Sequence, residues 1–260
     1  MCSLRITSER GNYNLQGFDS ITRQFILNEN TPFIITESYS KIRTNLTAAL
    51  ADRPYRSVVI TSQNRDEGKT TTAINIALMF SRLDKRVLLI DADLRRSGVH
   101  DMLRLKNRFG LSTILTGETD VYSGISVDVR KNFHVMPAGP DTANPSDLLG
   151  GAETERLVRL LYDYYDYIVI DTPPLCIAND SLLFGGYTGG TALVLRENKT
   201  THSELQAALS TISLSKAKFF GVIKTYCSIK YDKSSDYKSS IEENADLPGD
   251  KEGERAYDDM

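Results

Sequence analysis

SQNRDEGKTTT fills residues 62–72, directly behind the apolar run SVVIT (57–61) and ahead of a helix-forming stretch (70–83). A β-branched run, a short loop and a Gly-Lys-Thr that opens a helix together make a phosphate-binding turn. Unpaired N–H groups at a helix start point at an anion, and the helix dipole favours its charge. On this reading the backbone at Asp66, Glu67 and Gly68 cradles the phosphates of a nucleoside triphosphate. Lys69 reaches its β- and γ-phosphates, and the Thr70 hydroxyl ligates Mg²⁺, with Thr71 beside it. The loop is not a complete Walker A motif, because Gln63 stands where that motif has its first glycine.

Outward from this turn, further short apolar runs follow: RVLLID (86–91), FHVMPAG (133–139), YIVID (167–171), TALVL (191–195) and FFGVI (219–223). They are continuous rather than alternating, as strands buried on both faces of a parallel sheet read. Helical segments are expected at 37–50, 70–83, 153–164 and 203–214. In the first of these Tyr39, Ile42, Leu46, Ala49 and Leu50 share one face. Strands alternating with helices predict an α/β fold, a doubly wound, mostly parallel sheet with helices on both faces. Residues 1–35 show no clean period and read as an irregular N-terminal arm. Residues 226–260 are charged, Ser-rich and poor in aliphatics, and read as a flexible tail. The globular domain is expected to span 36–225.

The net charge of -3 argues against a nucleic-acid partner. No apolar run reaches the ~18 residues that a membrane helix needs, and the first residues lack the apolar core of a secretory signal. A cytoplasmic protein is expected. Cys2, Cys176 and Cys227 are too few and too far apart for a disulfide framework or a zinc site. His100, His134 and His202 are equally scattered.

Two further motifs sit at strand ends. DADLR (91–95) closes the RVLLI run, and Asp171 closes YIVI before Thr-Pro-Pro. Ligands of open α/β sheets bind outside the carboxyl ends of the strands. That geometry brings Lys69 and Thr70, Asp91 and Asp93, and Asp171 to one crevice. Carboxylates beside a triphosphate call for a divalent cation between them.

EGKTTT, LLIDADLRR and YDYIVIDTPP together resemble the Walker A, second Walker and Walker B motifs of the bacterial tyrosine kinases of capsule and exopolysaccharide synthesis, a branch of the P-loop NTPases. The likeness extends to FGLSTILTGE (109–118), AGPDTANPSDLL (138–149) and NDS (179–181). The resemblance implies ATP and Mg²⁺ as cofactors and tyrosine autophosphorylation as the activity. It implies that Asp91 activates the tyrosine hydroxyl at the metal, that Asp93 supports the metal site, and that Asp171 helps hold Mg²⁺. It also places Arg95 and Thr225 at the nucleotide. Tyr226, Tyr231, Tyr237 and Tyr257 become phosphoacceptors for a neighbouring subunit in a homo-oligomeric ring, with Glu37 and Arg43 at the ring contact. The implied partners are a membrane-embedded polysaccharide co-polymerase that activates the kinase at the inner face of the cell membrane, and a cognate tyrosine phosphatase.

The chain departs from the family pattern at three places. Arg65-Asp66 replaces Pro-Gly in the loop, and a non-glycine at a position needing φ > 0 costs ~1–2 kcal/mol. Thr225 replaces an asparagine that helps hold adenine. Ser40 replaces the middle arginine of the ring-contact motif. Two other readings remain open. One is an ATPase switch of the partition or septum-placement type, whose signature lysine would occupy the position of Asn64. The other is a weakened kinase fold acting as a nucleotide-gated interaction module.

Overall fold

The computed structural model describes residues 25–227, which run through a compact unit ending at Tyr226. Seven strands form one sheet: β1 (Ser57–Ser62), β2 (Val87–Asp91), β3 (Ser126–Arg130), β4 (Phe133–Met136), β5 (Tyr167–Asp171), β6 (Gly190–Arg196) and β7 (Phe219–Thr225). Their spatial order is β3-β4-β2-β5-β1-β6-β7, parallel throughout except for β3, which pairs antiparallel with β4 at one edge. The six runs read from the sequence as strands are all strands. β3 was not anticipated; its SVDVR is half-exposed and carries Asp128 at φ 51, so it lacks the continuous apolar signature of the buried strands.

The side-chain period of two sorts the central strands onto two faces. Val58, Ile60, Leu89 and Val169 pack with α1 (Phe33–Leu50) and α2 (Lys69–Ser81). Val59, Leu88, Ile90 and Ile170 face the opposite layer, which includes the helix Ala152–Leu161. The full order of the shorter helices is α3 (Val99–Leu103), α4 (Leu111–Leu115), α5 (Pro145–Gly150), α6 (Ala152–Leu161), α7 (Asp180–Leu183) and α8 (His202–Ser213). Several of these are a turn or so long, below the length at which apolar periodicity is legible. On the α1 and α2 face the Phe80 and Tyr167 rings stack at 4.2 Å. α2 is buried from Thr72 to Ser81, so its apolar signal runs all round rather than along a stripe.

Two expectations about the N-terminal region change. The first helix begins at Phe33, not at residue 37, because Pro32 at φ -51 enters the helix directly. Its first turn, Phe33, Ile34 and Ile35, is exposed, so the burial-driven period could not reveal it. The second concerns the segment just before that helix, read as part of an irregular arm: Leu27 is fully buried. The Leu27 N–H donates to Asn75 Oδ1 (2.9 Å), and Asn75 Nδ2 donates to the Phe25 carbonyl (2.8 Å). A buried asparagine in α2 thus captures the backbone of 25–27. The expected face of α1 does pack inward, through Tyr39, Ile42, Leu46 and Leu50. Residues 1–24 and the tail beyond Cys227, with Tyr231, Tyr237 and Tyr257, lie outside the described residues.

Candidate active site

The carboxyl ends of β1, β2 and β5 are neighbours in the sheet, and Asp91 and Asp171 stand opposite each other in register. Above them opens a cleft of about 390 Å³ whose lining includes Gly68, Lys69, Thr70, Asp93, Pro173 and Tyr226. A shallower depression near 28–32 and Arg130 holds no comparable cluster of charge.

The turn after β1 is built as a phosphate cradle. Gly68, the residue before α2, has φ 84, where a Cβ would be strained and would also contact Thr225 at 3.5 Å. Asp66 has φ 60, so this position of the turn takes up the left-handed region. Residues far along the chain hold this turn in place. Arg196 and Lys199 donate to the carbonyls of Asp66 (3.5 Å) and Arg65 (3.4 Å). Glu67 is fully buried; its carboxylate accepts from the Asn64 N–H (2.9 Å) and from the Thr200 hydroxyl. The Thr225 hydroxyl is shared between the carbonyls of Glu67 (2.7 Å) and Leu195 (3.0 Å). Asn64 Nδ2 donates to Glu204 Oε1 (2.9 Å), and the other oxygen of Glu204 accepts the Thr201 N–H in the capping box of α8.

The charged cluster follows. Lys69 Nζ lies 2.9 Å from Asp93 Oδ2 and 3.7 Å from Asp171 Oδ1. The Thr70 hydroxyl donates to Asp171 Oδ2 at 2.7 Å. Asp91 accepts three backbone N–H groups, from Asp93 (3.1 Å), Gly98 (3.2 Å) and Val99 (3.1 Å). Asp93 Oδ1 accepts the Arg96 N–H at 3.0 Å. Burial works to lower the Lys69 pKa, but the Asp171 and Asp93 carboxylates outweigh it and hold the ammonium charged. Burial, aided by the charge of Asp171, pushes Asp91 up to about 7. Asp171 is also raised, by burial, against the pull of Lys69 and Thr70.

Three buried carboxylates thus face one ammonium. Asp171 Oδ1 is buried and accepts no hydrogen bond; its nearest cation is beyond hydrogen-bond length. An orphaned carboxylate oxygen in an all-oxygen, net negative cluster fits a hard divalent cation. Among the described residues no three His, Cys, Asp or Glu side chains make a closed metal cage, so such a cation would complete its shell with phosphate and water.

The remaining sequence-based candidates divide clearly. Thr71 lines the cleft beside Thr70. Arg95 reaches the rim, where its guanidinium donates to Asp180 Oδ2 (3.2 Å) and Ser146 Oγ (2.6 Å), and Ser146 donates on to Asp180 (2.5 Å). Tyr226 lines the cleft at φ 55, its ring 4.0 Å beneath the Arg196 guanidinium. Glu37 and Arg43 lie on α1, outside the cluster, and Arg43 donates to the substituted Ser40 at 3.1 Å. The residues that escaped sequence reading are the braces Thr200, Arg196, Lys199, Glu204, Asp180 and Ser146. Of these only Thr201-x-x-Glu204 left a signature, that of a helix start.

Comparison with known proteins agrees with this geometry. The AAA_31 family model, an AAA domain, matches residues 55–184. The tyrosine-protein kinase YwqD of Bacillus subtilis (strain 168) is 36% identical over 188 residues, covering 72% of this chain and 79% of its own. The putative tyrosine-protein kinase CapB of Staphylococcus aureus is 30% identical over 203 residues, covering 78% and 88%. The kinase domain of the Escherichia coli tyrosine kinase ETK superposes with a TM-score of 0.76 at 26% identity, covering 86% of each chain. Joined to a P-loop, paired strand-end carboxylates and a switch-point cleft, these likenesses place the chain in the bacterial tyrosine-protein kinase family.

Proposed function

We propose that this chain transfers the γ-phosphoryl group of ATP to tyrosine hydroxyls in the tail of a neighbouring copy, and so regulates capsular or exopolysaccharide synthesis. The observation that carries this reading is the convergence of Lys69, Thr70, Asp93 and Asp171, with Asp91 behind them, at three adjacent strand ends. Bound Mg²⁺ would supply charge neutralisation of the β- and γ-phosphate oxygens; Thr70 and Asp171 are the residues to hold it, with Asp91 and Asp93 next to them.

Phosphoryl transfer is mostly positioning and electrostatics. In this reading the 65–68 backbone and the N-terminus of α2 bind phosphate, and Lys69 swings from Asp93 toward the β- and γ-oxygens. A carboxyl with a pKa near 7 is matched to accepting a proton at neutral pH, which suits Asp91 to the tyrosine hydroxyl. To meet it, Asp91 must release the N–H groups of Gly98 and Val99. Arg95 acts from the rim by fixing the 93–99 loop against Asp180, and Thr225 acts by holding Glu67 in the cradle. No helix among the described residues is long and apolar enough to cross a membrane. In this reading a membrane-embedded co-polymerase activates the kinase at the inner face of the cell membrane. Ring assembly through Glu37 and Arg43, and reversal by a tyrosine phosphatase, belong to the same reading. The partition-type switch loses support because Asn64, at its lysine position, is engaged by Glu204 within the same chain.

The test is mass spectrometry of the purified chain after incubation with Mg-ATP and the cytoplasmic segment of the activator. Phosphotyrosine is expected in the wild type. Lys69→Met should lower its formation at least about 100-fold, the scale of losing one charge-stabilising donor. ATP hydrolysis with no phosphotyrosine in the wild type would overturn the reading.

A further inference from the structure

The cations of the cleft are not equivalent. Lys69 is engaged by Asp93 and Asp171, and Arg95 by Asp180. Among the described residues, Arg65 and Arg96 line the cleft with no carboxylate partner. Arg65 sits on the phosphate cradle itself. Arg96 also lines the cleft; it is exposed, and its backbone N–H donates to Asp93 Oδ1. Pro173, Pro174 and Ile177 line the same cleft and make part of its lining apolar, and Ile177 is 42% exposed. Asp101, another acidic residue of the lining, lies 3.2 Å from the His100 ring. A tyrosine that docks in this cleft would meet both these apolar side chains and the Asp93 cluster. A carboxylate next to that tyrosine in sequence would fall to Arg96.

The chain's own tail carries that pattern. Tyr231 is followed by Asp232 and Tyr237 is preceded by Asp236, but Lys230 and Lys238 occupy their other sides. Tyr257 has Asp258 and Asp259 after it and an alanine before it. We infer that Arg96 is a specificity residue that selects tyrosines with an adjacent carboxylate, which makes Tyr257 the preferred acceptor in the tail. This rests on the kinase reading above.

The test uses the full chain saturated with Mg²⁺ and a non-hydrolysable ATP analogue, and a fluorescent peptide of residues 251–260. Anisotropy is compared for the native peptide and for one carrying Asp258→Lys and Asp259→Lys. The wild type should prefer the native peptide about three- to fivefold, the scale of an exposed ion pair. Arg96→Glu should cancel or reverse the preference, and Arg96→Lys should keep part of it. An unchanged preference in Arg96→Glu, or no preference in the wild type, overturns the inference. A parallel incubation with Mg-ATP keeps the two readings distinguishable. Peptide preference without transfer to any peptide would count against the kinase reading alone. Transfer to tail tyrosines with Tyr257 last would count against Arg96 alone.

Discussion

The two loops that flank the cleft are held in opposite ways. The 62–69 loop is shaped from outside: Thr200, Thr225, Arg196, Lys199 and Glu204, all on or beside β6, α8 and β7, grip its carbonyls and its buried Glu67. The 91–99 loop is shaped mainly from inside, with Arg95 to Asp180 and Ser146 as its outside tie, because Asp91 and Asp93, the acidic groups of the proposed reacting cluster, are also the acceptors that fold its backbone. The first loop holds a non-glycine residue, Asp66, at φ 60. The second cannot lose a carboxylate without losing both chemistry and shape.

The sharpest way to break that contrast is Asp91→Asn. The rate of phosphotyrosine formation should fall about 10²–10⁴-fold, the range for removing a positioned proton acceptor. The same variant carries a stability signature. Because the folded-state pKa of Asp91 is raised to about 7, the native chain holds a proton that the unfolded chain has already lost between its ordinary carboxylate pKa and 7. The metal-free wild type should therefore lose stability as pH rises through that window. Thermal melts at pH 5.5 and 7.5 without Mg²⁺ should show the drop in the wild type and a smaller one in Asp91→Asn. An equal drop in both would show that another group carries the linkage.

Thr225→Val tests the outside grip. It keeps the shape and removes the donor to the Glu67 and Leu195 carbonyls, which should cost about 1–3 kcal/mol and weaken ATP binding by roughly tenfold in calorimetry. Unchanged affinity would mean that the loop holds itself. The smallest effect is expected from Asp66→Gly. It relieves a left-handed non-glycine residue worth about 1 kcal/mol, but it adds unfolded-state freedom of about 0.4–1 kcal/mol. Nucleotide affinity should rise no more than about threefold, with little change in the melting temperature.

This contrast also explains what could be read without coordinates. The strands with continuous apolar runs, the helix after Gly68-Lys69-Thr70 and the meeting of Lys69, Thr70, Asp93 and Asp171 follow from patterns local in sequence and from one rule about strand ends. The positive φ at Asp66 was raised only as a condition, through the glycine that the resemblance puts there. The braces were not legible. Thr200 to Glu67, Asn64 to Glu204 and Arg95 to Asp180 join residues separated by much of the chain, and although Arg95 and Asp180 fall in motifs, no spacing marks either as the other's partner. Leu27 escaped for a similar cause, since its burial depends on Asn75 rather than on a period of its own.

The register of β2 and β5 sets Asp91 beside Asp171 in the interior, and this has a consequence for the life of the protein in a cell. A core that carries surplus negative charge is at its weakest when empty. Ligands that bind only the native form raise its stability in proportion to the logarithm of their concentration over Kd. Newly made chains would then be protected from proteolysis according to how much magnesium and nucleotide surround them, so cellular abundance would follow energy supply before any tyrosine is modified.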